Sequence, residues 1–328
     1  MKNWILLLLS LVAGFILYIA LSLFYNQRMP EQANVEEPVE IVLKSIQTDP
    51  MDFWDVAIRG INEASREFGL EVHISGPRYE REINRQIRIL EQVIEQQPPL
   101  IILAANDYRR LAEPLERAAE LGVPVITFDS GVDSSVPVSF IATDNIEAGN
   151  KAGAEMKRLI AGNPRKQIAI VSHIRETATA IEREAGVRQA LEGEEVIGTW
   201  FCDVDEDIAY EITLELLDNP NLGGIVALNE VAALGVARGI EARDAKDRVD
   251  VVGFDNAIRE LVYLEQGVLK ATVVQRPYNM GYLSVKTAAD VLRGKRVEEF
   301  IDTGSILITV ENMFRREYQE LLFPFTEP

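Results

Sequence analysis

A chain of 328 residues is long enough for one large or two medium domains with full hydrophobic cores. Its formal net charge of −19 argues against nucleic acid and anionic lipid heads as partners, because both select a surplus of Lys and Arg. The single cysteine, Cys202, excludes an intramolecular disulfide, so stability has to come from packing.

The first segment in chain order is an uncharged run, ILLLLSLVAGFILYIALSLFY, from Ile5 to Tyr25. At about 1.5 Å per residue it can cross a hydrocarbon core of roughly 30 Å. Lys2 precedes it and Arg28 follows, then an acidic stretch, so the N-terminus is expected on the cytoplasmic side and the remainder outside. Residues 1–28 therefore read as a signal anchor or transmembrane helix. Ala20-Leu21-Ser22 fits a small-x-small cleavage site, which leaves a cleaved, secreted form as the alternative. Residues 29–40, polar, proline-bearing and acidic, read as a flexible linker.

From Glu40 the chain alternates in type. Strands are expected at Ile41–Ile46, Glu71–Ser75, Leu100–Ala105, Pro124–Asp129 and Val138–Thr143, and again at Gln167–Ser172, Val196–Phe201, Gly224–Asn229 and Asp250–Asp255. In Glu82–Gln96, Ile83, Ile87, Leu90 and Ile94 step by four, three and four and line one helix face. Further helices are expected at Ala148–Ile160, Ala178–Leu191, Asp207–Leu217 and Val231–Ala242. Alternating elements of this kind predict an α/β fold with parallel sheets covered on both faces.

Such sheets bind ligands beyond the carboxyl ends of their strands, so the polar residues there are candidates. Asp129 ends ITFD, Asn229 ends IVALN, Asp255 ends VVGFD and Gln275 ends ATVVQ. Carboxylates accept hydroxyl protons and amides both donate and accept, as a polyhydroxyl ligand requires. Each residue taken alone could equally cap the following helix or form a turn.

From about Ile41 to Val310 the chain resembles the periplasmic ribose-type (type I) sugar-binding proteins, which are related to the ligand cores of lactose-repressor-like regulators. The segments carrying the resemblance are FWDVAIRG (53–60), GVPVITFDS (122–130), FIATDNIEAGNKAG (140–153), REAGV (183–187), IVALNEVAALG (225–235), VVGFDN (251–256) and KATVVQRPYNMG (270–281). The resemblance implies two doubly wound parallel-sheet lobes joined by three crossovers. These would be residues 41–143 plus 276–305, and 144–275 plus 306–328, with crossovers near Thr143, Gln275 and Ser305. It implies that Phe53 and Trp54 pack on a sugar ring, although both could instead start a helix and face the core. It also implies that Asp129, Thr143, Arg183, Asn229, Asp255 and Gln275 bind the ligand. Truncating Asp129 or Arg183 is expected to lower affinity at least about tenfold and to spare folding.

The departures are Ser130, where the ribose proteins carry Arg, Met51 in place of an Asn, and Val204 in place of an aromatic. They put ribose in doubt and leave a small sugar or polyol as the ligand class. Asp203, Asp205 and Asp207 have the spacing of a calcium loop, but Ile208 fills its glycine position and Leu214 its glutamate position, so they read as an acidic turn. His73 and His173 lie far apart and no nucleophile elbow is present, so no enzyme, metal or cofactor is implied. The expected role is sugar capture for an ABC-type membrane transporter. A tethered sensory protein addressing a receptor or histidine kinase is the alternative. A DNA-binding regulator is disfavoured by the apolar N-terminus and the acidic charge.

Overall fold

The structure, a computed structural model, describes residues 37–48 and 52–323. The uncharged run at residues 5–25 lies outside the described residues. Among those described, no helix is long and apolar enough to cross a membrane.

Aliphatic and β-branched runs build two six-stranded sheets. The first contains β1 (Val39–Val42), β2 (Val72–Ser75), β3 (Ile101–Leu103), β4 (Val125–Phe128), β5 (Ser139–Ala142) and β11 (Phe300–Asp302). Its order is β11-β5-β4-β3-β1-β2, parallel throughout. The second contains β6 (Gln167–Ser172), β7 (Glu195–Phe201), β8 (Leu222–Ala227), β9 (Asp250–Phe254), β10 (Ala271–Val274) and β12 (Ile306–Thr309). Its order is β12-β10-β9-β8-β6-β7. Strands β1, β3, β4, β8 and β10 are buried along their whole length, which is why their sequences are mostly apolar; the exception in β1, Glu40, pairs with His73 at 2.9 Å.

Helices cover both faces of each sheet. On the first sheet, α1 (Phe53–Phe68) and α9 (Pro277–Leu292) bury Ala57, Ile61, Met280 and Ala288 on one side. On the other side, α2 (Ile83–Glu95) and α3 (Ala112–Glu120) bury Leu90, Ile94 and Leu115. On the second sheet, α4 (Asn145–Ile160) and α5 (Ala178–Ala190) contribute Met156 and Val187 to one core. The opposite face takes α6 (Glu206–Leu217), α7 (Glu230–Ala242), α8 (Ile258–Glu265) and the terminal α10 (Arg316–Leu322).

The chain passes from one sheet to the other after β5, after β10 and after β11. The third passage is only three residues long, 303–305, so β12 enters the second sheet from the passage side. It therefore runs antiparallel to β10, with Val274 paired to Ile306, which corrects the expectation of purely parallel sheets. Lys151 Nζ donates to Ser305 O at 2.9 Å and Asp144 N donates to Asp302 Oδ1 at 3.0 Å, tying two of the passages together.

Most expected elements occur within one or two residues of their predicted bounds. The first strand does not: it ends at Val42, not Ile46. Past it the chain turns away to bond the loop after β2, with Ile46 N donating to Pro77 O at 3.0 Å and Ser45 Oγ to Arg78 O at 2.7 Å.

Candidate ligand site between the lobes

The two sheets point the carboxyl ends of their strands at a shared cavity of about 290 Å3, near the lower end of the roughly 300–1,000 Å3 range of small-molecule sites. Its first-lobe wall includes Lys44, Phe53, Trp54, Glu80 and Asp129; its second-lobe wall includes His173, Thr179, Arg183, Asn229 and Asp255. Gln275 lies at the second passage and also lines it.

Asp129 and Asp255 each follow the last residue of a central strand and adopt left-handed backbone, with φ of 59° and 78°. Asp tolerates this conformation far better than β-branched residues, so both strands can stop abruptly and deliver a carboxyl to the cavity. Val204, with φ of 54°, is a β-branched residue in the same region and stands on the cavity wall as a strained position.

Asp129 is buried against Lys44, whose Nζ stands 2.7 Å from Asp129 Oδ2. Ser130 supplies no charge at this point, and the positive partner of Asp129 arrives from the exit of β1 instead. Arg183 is buried as well: Nε donates to Asn145 Oδ1 at 2.8 Å, Nη1 to Leu228 O at 2.8 Å, and the guanidinium lies 4.7 Å from the Phe254 ring centre. Asp255 accepts from Gln275 Nε2 at 2.7 Å and from Glu230 N at 3.2 Å. Burial raises the Asp255 carboxyl above the usual range, Arg183 and the two donors oppose that, and Asp129 adds to it.

Burial, with Arg183 and Lys44 nearby, holds His173 well below its ordinary pKa, so the ring is neutral. Nε2 lies 3.0 Å from Thr179 Oγ1 and 3.1 Å from Thr177 Oγ1. The Thr177 hydroxyl donates to Ile174 O at 2.9 Å, so it turns a lone pair to the ring and the network assigns the proton to Nε2. Nδ1 is then an acceptor without a partner among the described residues.

Of the eight residues singled out in the sequence, seven line this cavity. Phe53 and Trp54 do so while also starting α1, and Trp54 is mostly core: its ring meets Phe128 edge-on at 6.0 Å. Asn229 both caps α7, accepting from Ala232 N at 3.0 Å, and faces the cavity. Thr143 stands apart. It is buried at the first passage, does not line the cavity, and its hydroxyl has no partner among the described residues. Met51 lies outside the described residues. Asp205 caps α6, accepting from Asp207 N at 3.0 Å.

Lys44, Glu80 and His173 were missed by the sequence reading. All three follow strands, so the strand-exit rule would have reached them. An apolar run that reads as a strand through Ile46 places Lys44 inside it, whereas Glu80 and His173 stand beyond the ends of β2 and β6.

A model of the periplasmic binding protein domain matches residues 42–296. The chain belongs to the type I periplasmic sugar-binding protein family. Within that family, the ribose import binding protein of Haemophilus influenzae is 33% identical over 179 residues, 54% of this chain and 60% of that protein, under two thirds of its length. The ribose import binding protein of Bacillus subtilis is 25% identical over 259 residues, 78% of this chain and 83% of that protein. A carbohydrate transporter solute binding protein of Agrobacterium radiobacter, solved with D-arabinose, superposes with a TM-score of 0.82 at 30% identity, covering 88% of this chain and 99% of that one. The family consists of solute-binding proteins, and this member is not an enzyme.

Glu260 lies beneath the Asp255 side of the site. It is fully buried, and burial together with Glu230 and Asp255 raises its carboxyl well above the usual range. Oε2 accepts from Ala257 N at 3.1 Å. A raised folded pKa means that between the unfolded and folded values only the folded state holds the proton, so stability falls as pH rises from about 4.5 through the folded value. Glu260→Gln keeps an acceptor for Ala257 N and cannot ionise. Its urea midpoint is expected to drop less between pH 5 and pH 8 than that of the unaltered binding protein. An equal drop in both would remove Glu260 as the cause.

Proposed function

We propose that this protein captures a small sugar or polyol outside the cytoplasm for an ABC-type uptake transporter and reports occupancy by closing its two lobes. The observation carrying this reading is the convergence of Phe53, Trp54 and Asp129 from one sheet with Arg183, Asn229 and Asp255 from the other on a single cavity. Aromatic faces suit sugar C–H surfaces, while the carboxylates and guanidinium suit hydroxyls. Import is favoured over sensing because the two curated relatives named above are import proteins. Membrane attachment through residues 5–25 belongs to the same reading and rests on the uncharged run alone.

The lobes proposed are residues 41–143 plus 276–305 and residues 144–275 plus 306–328. Neither wall surrounds a ligand by itself, so a ligand touching both stabilises the closed arrangement and shifts the population toward it. Three short passages need few backbone angles to change. Calorimetric titration with D-ribose, D-arabinose, D-allose and D-fucose, followed by small-angle scattering, tests the reading. At least one sugar is expected to bind and to reduce the radius of gyration. Binding with an unchanged radius would remove closure as the signal, and no binding across a wider panel of neutral sugars would remove the ligand class.

A further inference from the structure

Glu80 belongs to none of the segments that carry the family resemblance, yet it lines the cavity beside Trp54. Its Oε1 accepts from Trp54 Nε1 at 2.8 Å. Oε2 takes no hydrogen bond among the described residues. The loop carrying it, residues 76–82, is fastened at several points. Besides the bonds from Ile46 and Ser45, Arg78 Nε donates to Gln47 Oε1 at 3.1 Å and Tyr79 N donates to Glu82 Oε2 at 3.0 Å. At the root of the loop, a Cβ on Gly76 would stand 2.8 Å from Leu43 O, so only glycine allows this close approach. A carboxyl on a loop pinned in this way is held in place before any ligand arrives.

We propose that Glu80 is a specificity-determining residue: one carboxyl oxygen fixes the Trp54 indole and the other accepts a hydrogen bond from a ligand hydroxyl. The proposal rests on reading the cavity as a sugar site. A carboxylate is acceptor-only when ionised, so the ligand group facing it must be a donor. A free hydroxyl satisfies it, whereas a deoxy, methoxy or fluoro position leaves it unpaired. Burial raises the Glu80 carboxyl above its usual range; Lys44, the Trp54 hydrogen bond and Arg183 oppose that, and Asp129 adds to it. The ligand expected is thus a polyol with a free hydroxyl at the Trp54 end of the cavity.

Two arms test this on the full chain. The first needs no ligand. Glu80→Ala removes the indole acceptor and is expected to shift the Trp54 contribution to tryptophan emission, isolated by subtracting the matching Trp54→Phe variant. Glu80→Gln, whose amide oxygen still accepts, is expected to retain it. A Trp54 contribution unchanged in Glu80→Ala would overturn the hold on the indole. The second arm titrates the best-binding sugar of the neutral panel and its monodeoxy analogues. Glu80→Ala is expected to lose affinity at least tenfold. One deoxy analogue is expected to bind the parent protein at least tenfold more weakly than the sugar, and Glu80→Ala equally well. Full affinity in Glu80→Ala, or a deoxy penalty that persists in it, would overturn the ligand contact. Failure of every neutral sugar to bind would instead defeat the sugar reading together with the hydroxyl contact, while the emission arm still decides the hold on Trp54.

Discussion

Asp129→Ala is expected to unfold at a markedly lower temperature, as well as to lose at least tenfold in sugar affinity. The pair it breaks is buried on both sides, with side-chain exposures of 4% for Lys44 and 5% for Asp129. Removing one partner of a buried pair costs up to about 3–5 kcal/mol, and here Lys44 keeps only the Glu80 carboxyl as an opposite charge among the described residues. This revises the expectation that truncation at Asp129 would spare folding. Arg183 falls under the same revision, because its loss strands Asn145 Oδ1 and Leu228 O and leaves a hole beside Phe254. The check is calorimetric melting of Asp129→Ala and of Lys44→Met/Asp129→Leu, which removes both charges. The double variant is expected to recover most of the lost stability and none of the lost affinity. A single variant that melts with the parent would show that the pair is already compensated, and one that keeps full affinity would remove Asp129 from the site.

Gly186→Val is expected to be still more damaging, to the point where the second lobe loses its packing. The α4–α5 crossing brings backbone against backbone: a Cβ on Gly186 would stand 2.1 Å from Ile146 O, and one on Gly149 2.2 Å from Arg183 O. Neither obstacle is a side chain that could swing aside, so the helices must separate. Separation draws α5 away from Asn145, which holds Arg183 Nε, and the guanidinium loses its aim into the cavity. Overpacking of a tight core commonly costs about 1–3 kcal/mol, and a backbone clash of this size belongs at or above the top of that range. Gly186→Ala is expected to show the same defect in milder form, with affinity falling in proportion to lost hydrogen-exchange protection in α4 and α5. A Gly186→Val protein with parental melting and parental affinity would mean that the crossing can yield without disturbing the site.

These two expectations differ in how far the sequence alone leads to them. The alternation of apolar runs and helical stretches determined the fold class, because a strand buried on both faces must be apolar throughout and a covering helix must show one apolar stripe. Strand ends located most of the site for the same reason: in a parallel sheet the carboxyl ends share one edge, so Asp129, Asn229 and Asp255 were candidates before their contacts were known. What the sequence left open depends on residues distant in the chain. The partner of Asp129 lies 85 positions earlier at Lys44, brought alongside by the order of strands and marked by no local pattern. The acceptor for Trp54 is on a loop 26 positions later, and nothing in GPRYERE distinguishes Glu80 from a solvated acid until that loop is zipped to the exit of β1. The direction of β12 is likewise set by the shortness of a passage between sheets rather than by the apolar residues of the strand itself. Periodicity and strand-end chemistry are local properties that a single chain displays directly. Charge pairing, helix-crossing distance and the pinning of a loop are decided only when separate elements are brought within a few ångströms by the tertiary fold.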